Sequence, residues 1–105
     1  MPRPTLLGEQ ELNDHLADIP LWRLDGATLV REIPTSEFAA AIGLVNAVAV
    51  IAERMDHHPD ILVFGWNKVR FTLSTHDQGG ITILDIQLAK HIDELKFDTL
   101  KYGST

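Results

Sequence analysis

The segment from Phe38 to Ala52 constrains this chain more than any other. Pro34 stops the run before it, and Thr35 or Ser36 is placed to cap a helix, with Glu37 in the first turn facing the positive end of the dipole. His57-His58-Pro59 ends the helix, which should run to about Met55. Its middle, Ala39 to Ala52, is apolar on nearly every face. A surface helix shows a single apolar stripe, so this one requires cover on more than one side. A chain of 105 residues, read as one domain over 1–105, has few elements to supply it. Part of the helix is therefore expected to pack against another subunit; the alternative is a central helix in a monomer. Gly43 and Asn46 interrupt the segment, and it is shorter than the roughly 20 residues of a membrane span. No membrane association is expected.

The remaining elements arrange themselves around that helix. A short helix is expected from near Gly8 to before Pro20, with Leu12 and Leu16 on one face. Leu21–Leu24 and Thr28–Ile33 read as strands, with Asp25-Gly26 between them as a type I′ hairpin signal. Ile61–Phe64 and Val69–Ser74 form a second hairpin pattern, with Gly65 and Asn67 marking its turn. His76–Gly80 reads as a loop. Thr82 then caps a last helix, with Asp85 three residues on as in a capping box. Leu84, Leu88, Ile92 and Leu95 form its apolar stripe, and Lys90, Asp93, Glu94 and Lys96 are expected to face water. Residues 1–6 read as loose. The order α-β-β-α-β-β-α predicts an α+β fold, a four-stranded antiparallel sheet with helices packed on one face.

Composition narrows the function. Nine Lys and Arg against fifteen Asp and Glu leave a net charge of −6, which disfavours direct nucleic-acid binding. There is no cysteine, so disulfides, thiolate metal sites and cysteine nucleophiles are excluded. That absence fits a reducing compartment, and the first ten residues lack the apolar run of a signal peptide; a cytoplasmic protein is expected.

Histidine is then the side chain with an ordinary pKa near neutrality. Antiparallel strands bring the start of the second hairpin near its end, so His57 and His58 should meet His76. Glu53 lies one helical turn before His57, and Asp85 opens the last helix just past the His76 loop. The cluster so formed is Glu53, Asp56, His57, His58, His76, Asp77 and Asp85. Imidazoles oriented by carboxylates suit proton transfer at neutral pH. Asp85 taken alone is a helix cap. His15 and His91 lie on polar helix faces and carry no role. A metal site ranks below acid–base work, because adjacent histidines diverge and no His-x-His or His-x₃-His pair is present. Trp22 reads as core; Trp66, at a hairpin turn, reads as a pocket wall or interface residue.

The run Glu53-Arg-Met-Asp-His-His-Pro-Asp60, then Trp66-Asn-Lys-Val69, Thr72-Leu-Ser-Thr-His76, Gly79-Gly80 and Asp85, closely resembles the pterin-4a-carbinolamine dehydratases. The resemblance covers nearly the whole chain. It implies dehydration of a 4a-hydroxytetrahydropterin substrate, with no metal or other cofactor, in a homodimer or homotetramer. It also implies that His57, His58 and His76 are the catalytic histidines, that Glu53 and Asp85 orient them, and that Ser74, Thr75, His76, Asp77 and Gln78 form the pterin-contacting strand end. Asp56, Pro59 and Trp66 join the binding set. Two features depart from the family pattern. Ile83 and Leu84 replace residues often charged, implying a more apolar rim or interface. The interval from Pro59 to Trp66 is one residue longer than in some members. Relatives that serve as dimerisation or assembly partners make a non-catalytic role the alternative.

Overall fold

The computed structural model describes residues 4–96. Along the chain lie α1 (Glu9–Leu16), β1 (Arg23–Asp25), β2 (Thr28–Pro34), α2 (Phe38–Met55), β3 (Asp60–Phe64), β4 (Lys68–Leu73) and α3 (Ile83–Glu94), with a 3-10 turn at His76–Gln78. The four strands form one antiparallel sheet in the order β1-β2-β4-β3. Its two outer pairings are the local hairpins expected from the turns. The central pairing, β2 with β4, joins residues far apart in sequence, Leu29 with Leu73 and Pro34 with Lys68.

The period-two pattern of β4 decides which sheet face is buried. Val69, Phe71 and Leu73 are fully buried, while Lys68 is exposed and Arg70 and Thr72 only half-buried. Leu29 and Ile33 of β2 join the same core, as do Leu44 and Val48 of α2 and Ile86, Leu88 and Ile92 of α3. Leu12 and Leu16 of α1 pack against it, and Trp22 is buried within it. On the helix-free face, Arg70 pairs with Glu32 and lies over the Phe64 ring.

α2 shows one buried stripe, Ala41, Leu44, Val48 and Ala52. Phe38, Ile42 and Val50 on its remaining surface are exposed, so the cover expected on further sides is not supplied by the described residues. With 18 residues and a mean hydropathy of 1.6, α2 has the length and composition of a membrane-crossing helix. Its buried stripe, however, is packed into a core shared with the sheet.

Several local expectations need correction. The N-cap of α2 is Glu37, in extended backbone and without a side-chain cap bond. Thr35 is unavailable as a cap because its hydroxyl is buried 2.7 Å from the Asn67 carbonyl oxygen, while the Asn67 side-chain amide donates to the Thr35 carbonyl at 3.0 Å. In the first hairpin, Asp25 pairs with Thr28, which leaves Gly26 and Ala27 as the loop. Gly26 has a φ of +58° and Ala27 has no positive φ. A type I′ turn needs both; a glycine at the first central position suits type II′. Asp93 does not simply face water: its carboxylate accepts from the Trp22 indole N–H at 2.8 Å and from Arg31, tying α3 to the sheet. The buried α3 face is Asp85, Ile86, Leu88, Ala89 and Ile92, with Leu84 and Leu95 only half-buried. Ile83, expected at a rim, packs against the core. Of the residues expected to be loose, Met1–Arg3 lie outside the described residues; Thr5 and Leu6 are exposed, and the Leu7 N–H donates to the Ile81 carbonyl at 3.0 Å.

Candidate active site

A reversal of the chain at the end of α2 creates the site. Asp56 adopts the left-handed conformation, with φ +51° and ψ +43°. Short polar residues tolerate this region better than most, and helices often stop this way. The Asp56 N–H donates to the Glu53 carbonyl and the His57 N–H to the Ala52 carbonyl, which satisfies the last turn. The twist gives two adjacent histidines opposite environments. His57 turns inward and is 5% exposed. His58 stays outside, its Nε2 3.7 Å from Glu53 Oε1 across an exposed pair that contributes little energy.

The other wall comes from the end of β4. In the β3–β4 hairpin Asp60 pairs with Thr72, so the residues before β3 lie beside those after β4. Beyond Leu73 the chain makes a small closed loop. The Thr75 N–H donates to the Gly80 carbonyl at 2.7 Å, and Gly79 closes the turn with a φ of +73°, a conformation glycine adopts at no steric cost. His76 and Asp77 are exposed on this loop.

His57, His58, Ser74, Thr75, His76 and Asp77 line a cavity of about 250 Å³. Sites for drug-sized ligands begin at roughly 300 Å³, so this volume suits a ligand smaller than those. A larger cavity, about 420 Å³, lies between α2 and the end of α3, lined mainly by Ala39, Ala40, Gly43 and Ala47. No histidine lines it, whereas three line the smaller cavity.

Asp85 sits behind His57 and is fully buried. Its Oδ1 is 2.6 Å from His57 Nε2. Its Oδ2 accepts from the Thr75 hydroxyl at 2.8 Å and from the Thr82 N–H at 2.9 Å. With Nε2 engaged, Nδ1 is the nitrogen His57 has left to offer the cavity. Asp85 thus both completes the capping box of α3 and hydrogen-bonds His57. Among the described residues, no group of three or more His, Asp or Glu side chains is arranged to hold a metal ion.

Of the other residues picked from the sequence, Glu53, Asp56, Pro59 and Gln78 flank the cavity-lining residues along the chain without lining the cavity. Trp66 is not brought to the site at all. It sits at the opposite end of the hairpin, 63% exposed, with a φ of +57° following Gly65 at +55°. Period-two pairing makes this inevitable, since the turn and the strand ends lie a full strand length apart. Thr82, outside the cavity lining, reaches Thr75 and Asp85, a contact that its Thr-x-x-Asp spacing, the mark of a cap, does not signal.

A buried imidazole–carboxylate pair and two further histidines thus meet at one small cavity of an α+β fold. The chain belongs to the pterin 4 alpha carbinolamine dehydratase family, whose sequence profile matches residues 5–95. Pterin-4-alpha-carbinolamine dehydratase stands in the names given to its relatives. One from Nocardia farcinica is 48% identical over 86% of this chain and 94% of its own length, and one from Metallosphaera sedula is 41% identical over 91% and 96%. The crystal structure of a transcriptional coactivator/pterin dehydratase from Brucella melitensis superposes with a TM-score of 0.79 at 34% identity, covering 85% of this chain and 96% of that one. A pterin dehydratase-like protein described as a RuBisCO assembly factor in the alpha-carboxysome shares the fold, with a TM-score of 0.57 at 24% identity over 69% of this chain and 84% of that one.

Proposed function

We propose that this chain is a hydro-lyase that converts 4a-hydroxytetrahydropterin to quinonoid dihydropterin by histidine general acid–base catalysis, within cytoplasmic tetrahydropterin recycling. The observation that carries this reading is the convergence of His57, His58 and His76 on one cavity, with Asp85 holding His57. Hydroxide is a poor leaving group, so one histidine gives a proton to the 4a-oxygen as the C4a–O bond breaks and its electron pair goes to oxygen. A second takes the proton from N5, and the N–H bonding pair forms the C4a=N5 double bond. Water leaves, and no electrons are gained or lost. In this reading polar groups of Ser74 and Asp77 hold the pterin's amide edge, while Thr75, its hydroxyl and N–H engaged within the protein, supports Asp85 from behind. The pterin is substrate, and the reaction as written calls on no other cofactor.

The chain is also proposed to work as a homodimer or homotetramer, a second copy covering the exposed Phe38, Ile42 and Val50 of α2. The alternative, a non-catalytic assembly partner on the same fold, leaves the three convergent histidines without a task.

The test follows dehydration of freshly generated carbinolamine spectrophotometrically, beside a mass measurement in solution. His58→Ala and His76→Ala should each slow the reaction by about 10²-fold or more, in keeping with the usual worth of general acid–base help. Both side chains are exposed, so the folded content should not change. A parent rate equal to that of buffer would sink the enzyme reading. A stoichiometric protein partner recovered by pulldown, without dehydratase activity, would put the assembly role in its place. A monomer mass would remove the oligomer.

A further inference from the structure

We infer that Thr82 is a positioning residue of the active site: through Thr75 and Asp85 its hydroxyl fixes which nitrogen His57 presents to the cavity. The inference rests on the dehydratase reading for its catalytic consequence alone; the arrangement is geometric. Thr75 Oγ1 lies 2.7 Å from Thr82 Oγ1 and 2.8 Å from Asp85 Oδ2, and all three residues are buried to 1% exposure or less.

With Asp85 ionised and His57 neutral, counting protons fixes the direction of every bond. The Asp85 carboxylate only accepts. The single Thr75 hydroxyl proton goes to Asp85 Oδ2. The bond between the two hydroxyls therefore takes its proton from Thr82. The Thr82 oxygen in turn accepts from the Leu84 N–H at 3.2 Å, while the Thr82 N–H donates to Asp85 Oδ2 at 2.9 Å. Leu84 N–H, Thr82 hydroxyl and Thr75 hydroxyl thus point head to tail at one carboxylate, and aligned bonds of this kind polarise one another in a low-dielectric interior.

With Oδ2 taken by two donors, Asp85 Oδ1 faces His57, whose Nε2–H fills it at 2.6 Å. A carboxylate held from behind cannot rotate to release the ring. Neutral His57 then carries its proton on Nε2 and turns an unprotonated Nδ1 to the cavity, ready to accept a proton. The capping box of α3 and the tautomer of a histidine 25 residues earlier, at 57 against 82, are parts of one network. A cap alone would need only the contact with the Leu84 N–H. The hydroxyl contact to Thr75 lies outside that task.

The experiment compares the parent with Thr82→Val, which keeps the shape and removes the hydroxyl, and with Thr82→Ser, which restores it. Ring ¹⁵N chemical shifts of His57 in the substrate-free protein report the tautomer, and carbinolamine dehydration reports the rate per folded molecule. The parent should show the Nε2–H form. Thr82→Val should shift His57 toward a mixture of tautomers and slow dehydration about tenfold, at the lower end for partners that orient a functional histidine from behind. Thr82→Ser should return both readouts to the parent values. If Thr82→Val folds poorly, slow solvent exchange of the Thr75 and Thr82 hydroxyl protons in the parent serves instead, and rapid exchange there overturns the inference. A Thr82→Val protein that melts earlier with unchanged His57 shifts and rate also overturns it, leaving Thr82 a cap only. A tautomer shift in a protein with no dehydratase activity upholds the network and removes the proposed function.

Discussion

Replacing Asp85 with alanine should cost about 3–5 kcal/mol of folding stability, the range seen when one partner of a buried pair is removed. The side chain is fully buried and accepts from three donors, His57, Thr75 and the Thr82 N–H. Alanine leaves all three facing a void. A buried donor without an acceptor costs about 1–3 kcal/mol, and water reaching the void recovers only part of the sum. Small domains hold roughly 5–15 kcal/mol in total, so the variant should be marginal at room temperature. Asp85→Asn keeps the volume but offers an NH₂ where one oxygen accepted. It should fold better than the alanine variant and still lose about 10–100-fold in dehydration rate, because an NH₂ facing His57 Nε2 favours the other tautomer. Urea titration and the dehydration assay measure the two effects separately. An alanine variant within about 1 kcal/mol of the parent would mean the three donors find other partners.

The second large effect is expected at Phe71. It is the largest of the fully buried side chains, on β4, between Arg31 of β2 and Ile61 of β3. Burying such a ring contributes about 1.5–3 kcal/mol by transfer alone, and emptying its place adds a cavity term. Phe71→Ala should therefore lower stability by about 3–5 kcal/mol in urea titration. Its active site should survive in the molecules that remain folded, since Ser74–Asp77 lie beyond the strand end and none of their hydrogen bonds runs through Phe71. The two variants thus separate by rate per folded molecule. Asp85→Asn falls in rate, whereas Phe71→Ala falls in stability. A Phe71→Ala protein that is stable but inactive would show that the strand carries strain to His76.

What could be read from the sequence was local. Thr82 and Asp85 sit three residues apart, and the helix start they announce is present with both capping bonds formed. The hairpin turns gave four strands and hence the sheet, and the closeness of His57 and His58 to His76 follows from antiparallel pairing alone. What escaped depends on partners far away in sequence. Thr35 looks like a cap until Asn67, thirty-two residues later, claims its hydroxyl. Asp93 looks like a surface residue until Trp22 and Arg31 reach it. Trp66, read from its hairpin turn as a pocket wall or interface residue, lies at the end of the hairpin away from the histidines and is exposed, as an interface residue would be. Thr82 was missed because its cap role already explained its type and spacing. Its link to Thr75 depends on the loop that returns the chain from β4 to α3.

The β2–β4 pairing has a consequence for how this chain reaches its fold. The two hairpins close over short stretches and can form early, but neither buries the core on its own. The sheet is completed only when Pro34 meets Lys68 and Leu29 meets Leu73, with the whole of α2 held in the intervening loop. Closing so long a loop costs chain entropy before any contact repays it, and folds built on such distant pairs assemble more slowly than helical bundles. The buried tie between Thr35 and Asn67 sits at the very mouth of that loop. It ties the two strands together at the end opposite the histidine cavity, and it can form only once β2 and the β3–β4 turn have met.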